Sequence, residues 1–212
     1  MEKSAQHYRM VEILGVLITG GSKFIFMDWL NWKLPFIFLA IGFWVGYIFF
    51  RVRKDKSVLA KWGFTRQNLR SSFIVVSVFA FIGILSFIIY GSVTGKILWS
   101  WSVVPLMLLY PFWGIIQQFL ILSLFSGNLD DLPNVNMPRW LLVVMTAVLF
   151  GILHYPIGLL IIGTTVLALF YTIVFLKYRN LWPLGLYHGI LGALFYYLAL
   201  GIDQFHEVFF FF

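Results

Sequence analysis

The chain has 212 residues, of which 61% are hydrophobic and 11% charged, with a mean hydropathy of +0.93. A soluble domain carries about 25% charged residues, so the composition excludes that class and indicates one integral membrane domain over residues 1–212. There is no cysteine, which excludes disulfides, thiol nucleophiles and thiolate metal sites, and the net charge of +7 does not indicate nucleic acid, because the basic residues cluster where the positive-inside rule puts them.

Spanning a bilayer takes about 20 mainly apolar residues. Seven stretches qualify, roughly 10–28, 34–50, 71–92, 98–125, 139–155, 157–176 and 182–201, within a range of six to eight. The expected fold class is all-α, a polytopic transmembrane helical bundle. The first stretch is interrupted by Gly15, Gly20, Gly21 and Lys23 and closed by Asp28. The first nine residues are polar, and the apolar run after them lacks a small-residue cleavage site, so no cleavable signal peptide is expected. The basic link over 51–70 carries Val58, Leu59, Trp62, Phe64 and Leu69 among its charges. It reads either as an amphipathic helix on the headgroups or as a solvated loop with buried anchors. The stretch 98–125 is longer than one span needs and contains Pro105 and Pro111, which predicts a tilted or kinked helix. In the turn-rich loop that follows, Asp130 and Asp131 read as a solvated turn rather than as metal ligands. Aromatics make up 20% of the chain, including Trp99, Trp101, Phe195 to Tyr197 and a terminal Phe209–Phe212 run, and interfacial belts account for many of them.

Orientation follows from charge. Arg51, Arg53, Lys54, Lys56, Lys61, Arg66 and Arg70 face a single acid, Asp55, in the link between stretches two and three, which predicts a cytoplasmic link. Alternation then puts Lys3 and Arg9, Arg139, and Lys177 and Arg179 on the same side. Only Lys23, Lys33 and Lys96 fall elsewhere. The N-terminus and the 51–70 link are therefore expected on the cytoplasmic side of the cell (inner) membrane, with Asp203 and Glu207 outside.

Three apolar stretches are interrupted by polar side chains: Gln117 and Gln118, then His154, then His188. Polar groups in hydrocarbon are expensive and face a bundle interior or a cavity, so the three interruptions predict one intramembrane polar site. Adjacent residues on a helix point about 100° apart. One glutamine therefore faces the site while the other flanks it. On the residues alone the site stays open between hydrogen bonds that staple helices, a histidine acting as base near neutral pH and a binding cavity. Catalytic zinc usually has three protein ligands, and no third His, Glu or Asp lies in these spans, so no metal and no cofactor are expected.

At these residues the chain resembles the CPBP family, the CAAX-protease and bacteriocin-processing intramembrane proteins, also called the Abi group. The family's motifs are a glutamate pair followed four residues on by arginine, then Phe-x-x-x-His, then a histidine followed four residues on by asparagine or aspartate. Here the second motif reads Phe150 to His154, and the third opens with Leu181-Trp182-Pro183 and runs to His188. The resemblance covers about residues 98–195. It departs at Gln117 and Gln118 for the glutamates, at Leu122 for the arginine and at Gly192 for the asparagine. It implies catalytic positions at Gln117, Gln118, His154 and His188, supported by Phe150, Leu122, Gly192 and Trp182. A carboxylate can act as general base and a carboxamide cannot. The expected function is therefore a non-proteolytic binding or scaffold subunit. Its expected partners are membrane lipids and a transmembrane helix, a lipidated peptide or a membrane subunit. The alternative is a CAAX-type intramembrane endopeptidase with an altered His/Gln site.

Overall fold

A computed structural model of the chain describes residues 2–133 and 135–209, with side chains from residue 6 to residue 208 in those ranges. The Lys3 side chain lies outside it, as does the Phe209–Phe212 run apart from the Phe209 backbone. The described residues are all-α, with no strand among them. The helices are α1 (Glu2–Lys23), α2 (Lys33–Lys54), α3 (Val58–Lys61), α4 (Leu69–Thr94), α5 (Val103–Gln118), α6 (Asn128–Asp130), α7 (Arg139–Ile152), α8 (Gly158–Tyr178), α9 (Trp182–Phe195) and α10 (Gln204–Phe209). Three of them run on as π-helix: α1 into Phe24–Trp29, α5 into Phe119–Gly127 and α9 into Tyr196–Leu200.

Six helical stretches are long and apolar enough to cross a membrane: Gln6–Trp29, Lys33–Lys54, Leu69–Thr94, Val103–Asp130, Gly158–Tyr178 and Trp182–Leu200. The protein is an integral membrane protein, and six lies at the low end of the expected range. The stretch that drops out is 139–155. Its helix ends at Ile152 after 14 residues, about 21 Å, short of a hydrocarbon core of about 30 Å. The residue before a proline is pushed out of helical geometry, so Tyr155-Pro156 prevents the helix from continuing. His154 accordingly sits in the turn after α7, not within a span. In the long fourth stretch Pro105 lies in the first turn of α5, where a missing N–H is harmless. Pro111 lies inside the helix and leaves the Met107 carbonyl without its helical donor.

The chain forms two compact units. The first comprises residues 1–64 and 120–176. Its centre is Glu12, 2% exposed. Tyr47 donates to Glu12 Oε1 at 2.7 Å, Asn128 Nδ2 donates to Oε2 at 2.6 Å, and Arg51 donates to Oε1 in a close ion pair. The Arg51 guanidinium also lies 4.1 Å from the Tyr8 ring centroid. Between the end of α2 and the start of α4 the basic link is helical only over Val58–Lys61. Val58 and Trp62 are buried, and Ser123 Oγ donates to the Trp62 carbonyl. The link is thus a loop with buried anchors and no extended amphipathic helix. Asp130 pairs with Arg139 and Asp131 with Arg9.

The second unit comprises residues 65–119 and 177–212. Two helix pairs in it touch backbone to backbone. A Cβ built on Gly114 of α5 would lie 2.4 Å from the Gly185 carbonyl oxygen, and one on Gly189 of α9 would lie 2.3 Å from that of Tyr110. On Gly91 of α4 a Cβ would lie 1.8 Å from the Leu198 carbonyl oxygen. Only glycine permits these approaches, as in small-xxx-small membrane contacts. Asn180 Nδ2 donates to the carbonyls of Thr65 and Gln67, both at 2.8 Å, which ties the entry of α9 to the loop before α4.

Candidate functional site

The glycine contact between α5 and α9 determines what the polar residues on those helices do. Gly185 and Gly189 are one helical turn apart on α9 and bracket His188, while Gly114 precedes Gln117 by three residues on α5. With the two backbones touching there, the side chains at 117 and 188 meet. His188 Nε2 lies 2.8 Å from Gln117 Oε1. A carboxamide oxygen only accepts, so the ring donates its Nε2–H, and Nε2 carries no lone pair toward Gln117. His188 is 6% exposed. Its neighbour Tyr187 hydrogen-bonds Ser77 of α4 at 2.7 Å, which fixes the rotation of α9 from its other side.

Gln118 is in a different situation. It is fully buried, and neither Oε1 nor Nε2 has a hydrogen-bond partner among the described residues. An amide buried without compensation costs on the order of 1–3 kcal/mol in proteins and more in a pure hydrocarbon reference. A leucine would suit the position at no such cost. Gln117 is thus the glutamine engaged with histidine, and Gln118 is the flanking one, with its hydrogen-bonding capacity unspent.

His154 belongs to the first unit. Its Nδ1 lies 2.7 Å from the Phe150 carbonyl oxygen one turn back, so Nδ1–H donates and the lone pair is on Nε2. The Phe150 ring, itself buried, stands edge-on to the imidazole at 4.7 Å between centroids. The Phe-x-x-x-His spacing is therefore a one-turn ring contact that sets both the orientation and the tautomer of the histidine. Nearby in the same unit, Lys23 Nζ bridges Asp28 Oδ2 at 2.8 Å and the Tyr155 carbonyl at 2.6 Å.

The supporting positions divide the same way. Leu122 is fully buried, an apolar side chain in the π-helical run after Gln118. Trp182 is 44% exposed, its N–H donates to Asn180 Oδ1 at 3.2 Å, and Pro183 occupies the first turn of α9. The Leu-Trp-Pro lead-in is thus a helix start. A Cβ on Gly192 would lie 3.6 Å and 3.7 Å from the nearest atoms of the Tyr110 ring. These are ordinary van der Waals contacts, so a side chain at 192 would lie against the ring. Among the described residues no group of three or more His, Asp or Glu is placed to hold a metal ion.

The polar interruptions in the sequence locate Gln117 and His188. They do not reveal Gly114, Gly185 and Gly189, which bring that pair together. The sequence signal for that contact is the Gly185–Gly189 spacing, Gly-x-x-x-Gly inside an apolar run. No family model, curated protein or solved structure matches the chain.

Proposed function

We propose that this chain is a CPBP-like membrane protein whose polar site serves binding and not proteolysis. One observation carries the reading: the hydrogen bond from His188 Nε2–H to Gln117 Oε1. Where the resembled enzymes place a carboxylate, this chain places a group that takes no proton at working pH. The imidazole nitrogen that faces it is already a donor. A missing general base costs about 10²–10⁴ in rate, and one lost oxyanion-side donor, here at Gly192, costs about 10²–10³ more. Gln118, buried with both polar atoms unpaired, supplies the capacity to hold something. The ligand class is the polar part of a membrane-resident molecule: a lipid, a transmembrane helix, a lipidated peptide or a membrane subunit. We place the protein in the cell (inner) membrane, with its N-terminus and the 51–70 link in the cytoplasm.

The second reading, an intramembrane endopeptidase with an altered His/Gln site, rests on His154. The Phe150 carbonyl leaves its Nε2 with a lone pair, the arrangement a histidine base needs. Purified protein in nanodiscs, offered lipidated and unlipidated peptides, separates the two. Binding predicts no cleavage and loss of a co-purifying lipid or subunit, read by native mass spectrometry, from the Gln117→Leu, Gln118→Leu double variant. Cleavage that vanishes in His154→Ala would establish the enzyme instead.

A further inference from the structure

One side chain stands between the polar pair and the end of the unit where the C-terminal helix lies. Tyr110 precedes Gln117 by seven residues, about 10 Å along α5. Its ring packs on Gly192, one turn beyond His188, and its carbonyl oxygen fills the place of a Cβ at Gly189. The ring meets Tyr196 edge-on at 6.3 Å between centroids. It also belongs to an apolar cluster with Leu106, Ala193 and Tyr197, to which Phe205 of α10 contributes.

The segment that follows α9 is itself anchored. Asp203, just before α10, receives Ser102 Oγ at 2.5 Å, Ser100 Oγ at 3.1 Å and His206 Nδ1 at 2.9 Å on Oδ2, with Tyr197 OH at 2.6 Å on Oδ1. Gly201, at φ +70°, makes the turn into this segment, where a Cβ would lie 2.8 Å from the Lys96 carbonyl oxygen. Carboxylate, serines, tyrosine and histidine thus pin α10 against the start of α5 and the end of α9.

We infer that Tyr110 closes the Gln117–His188 site at its α10 end and decides what enters there, its ring held by Tyr196 and the Leu106, Ala193 and Tyr197 cluster. The inference rests on the binding reading, since a gate matters only if the pair receives a ligand.

The chain has no native cysteine, so a single Gly192→Cys places a thiol against the Tyr110 ring. A matched Gly21→Cys, where nothing lies within 4 Å of a Cβ, reports on the other unit. The experiment compares labelling rates by a membrane-impermeant thiol reagent in nanodiscs. Tyr110→Phe keeps the ring and leaves the rate at 192 near that with tyrosine. Tyr110→Ala removes the ring and raises the rate at 192 severalfold. Neither changes the rate at 21. An unchanged rate at 192 in Tyr110→Ala, or an equal rise at 192 and 21, overturns the gate. Ligand content is measured in the same preparations. If Gln117→Leu, Gln118→Leu keeps its ligand, the binding reading fails whatever the labelling shows. If that variant loses ligand while labelling ignores Tyr110, the gate alone fails.

Discussion

Replacing Glu12 by alanine removes the acceptor for Arg51, Tyr47 and Asn128 in a single step. The Arg51 side chain is 12% exposed and that of Glu12 is 2% exposed, so the guanidinium left behind is largely buried with its counter-ion gone. Breaking a buried pair in this way costs about 3–5 kcal/mol. For a chain of this size about 1 kcal/mol corresponds to roughly 2–4 °C in melting temperature, so Glu12→Ala melts on the order of 10 °C lower in detergent. Glu12→Gln keeps one acceptor oxygen and loses the charge, and falls between the two. Glu12→Leu with Arg51→Met removes both charges at similar volume and recovers most of the loss, because apolar replacements of buried pairs are often neutral. Thermal unfolding of Glu12→Leu, Arg51→Met and the double variant closes a double-mutant cycle. The reasoning fails if Glu12→Ala costs under about 1 kcal/mol, the value of an exposed pair, or if the two sites show no coupling.

Three further outcomes follow from the same geometry. Gly114→Ala or Gly189→Ala forces α5 and α9 apart and destabilises by about 1–3 kcal/mol or more, whereas Gly42→Ala, where a Cβ meets nothing within 4 Å, is neutral or slightly stabilising; paired melting curves read both. Gln118→Leu, measured on protein stripped of lipid, stabilises by about 1–3 kcal/mol because an unpaired buried amide disappears, and a loss of stability would mean that the carboxamide is satisfied. Asp203 supplies the pH dependence: burial pushes its carboxyl up, but the hydrogen bonds from Ser102, Tyr197 and His206 outweigh this and hold it well below the usual carboxylate range. A depressed carboxyl stabilises fully above its unfolded pKa of about 3.9 and loses that contribution as pH falls through the native value, so melting curves drop below about pH 4 and Asp203→Asn flattens that acid limb.

What the sequence makes legible, and what it hides, separates along a physical line. A polar side chain in an apolar run is visible on its own, because its cost in hydrocarbon does not depend on knowing its neighbours. That is why Gln117, Gln118 and His188 stand out in the sequence by themselves. Their partners depend on chain closure. Gln117 and His188 lie 71 residues apart, and what joins them is the absence of side chains at Gly114, Gly185 and Gly189, a signal carried by spacing and not by chemistry. Arg51 shows the converse. Seven cations in the 51–70 link look alike to the positive-inside rule, yet this one pairs with the carboxylate of Glu12. Glu12, inside the 10–28 stretch, is itself a polar interruption, but nothing local identifies its partner 39 residues on. The end of α7 is legible in principle from Tyr155-Pro156, but apolar composition continues through Leu153 and composition alone runs the span on. The two histidines then part by the acceptor each one faces. His154 donates Nδ1–H to the Phe150 carbonyl four residues back, a local contact that the Phe-x-x-x-His spacing encodes. His188 donates Nε2–H to a residue on another helix. Each ring donates one N–H and keeps its lone pair on the other nitrogen, Nε2 in His154 and Nδ1 in His188. What separates the two is the partner: His154 is held by a backbone carbonyl one turn back, and His188 by a carboxamide on another helix that takes no proton at working pH.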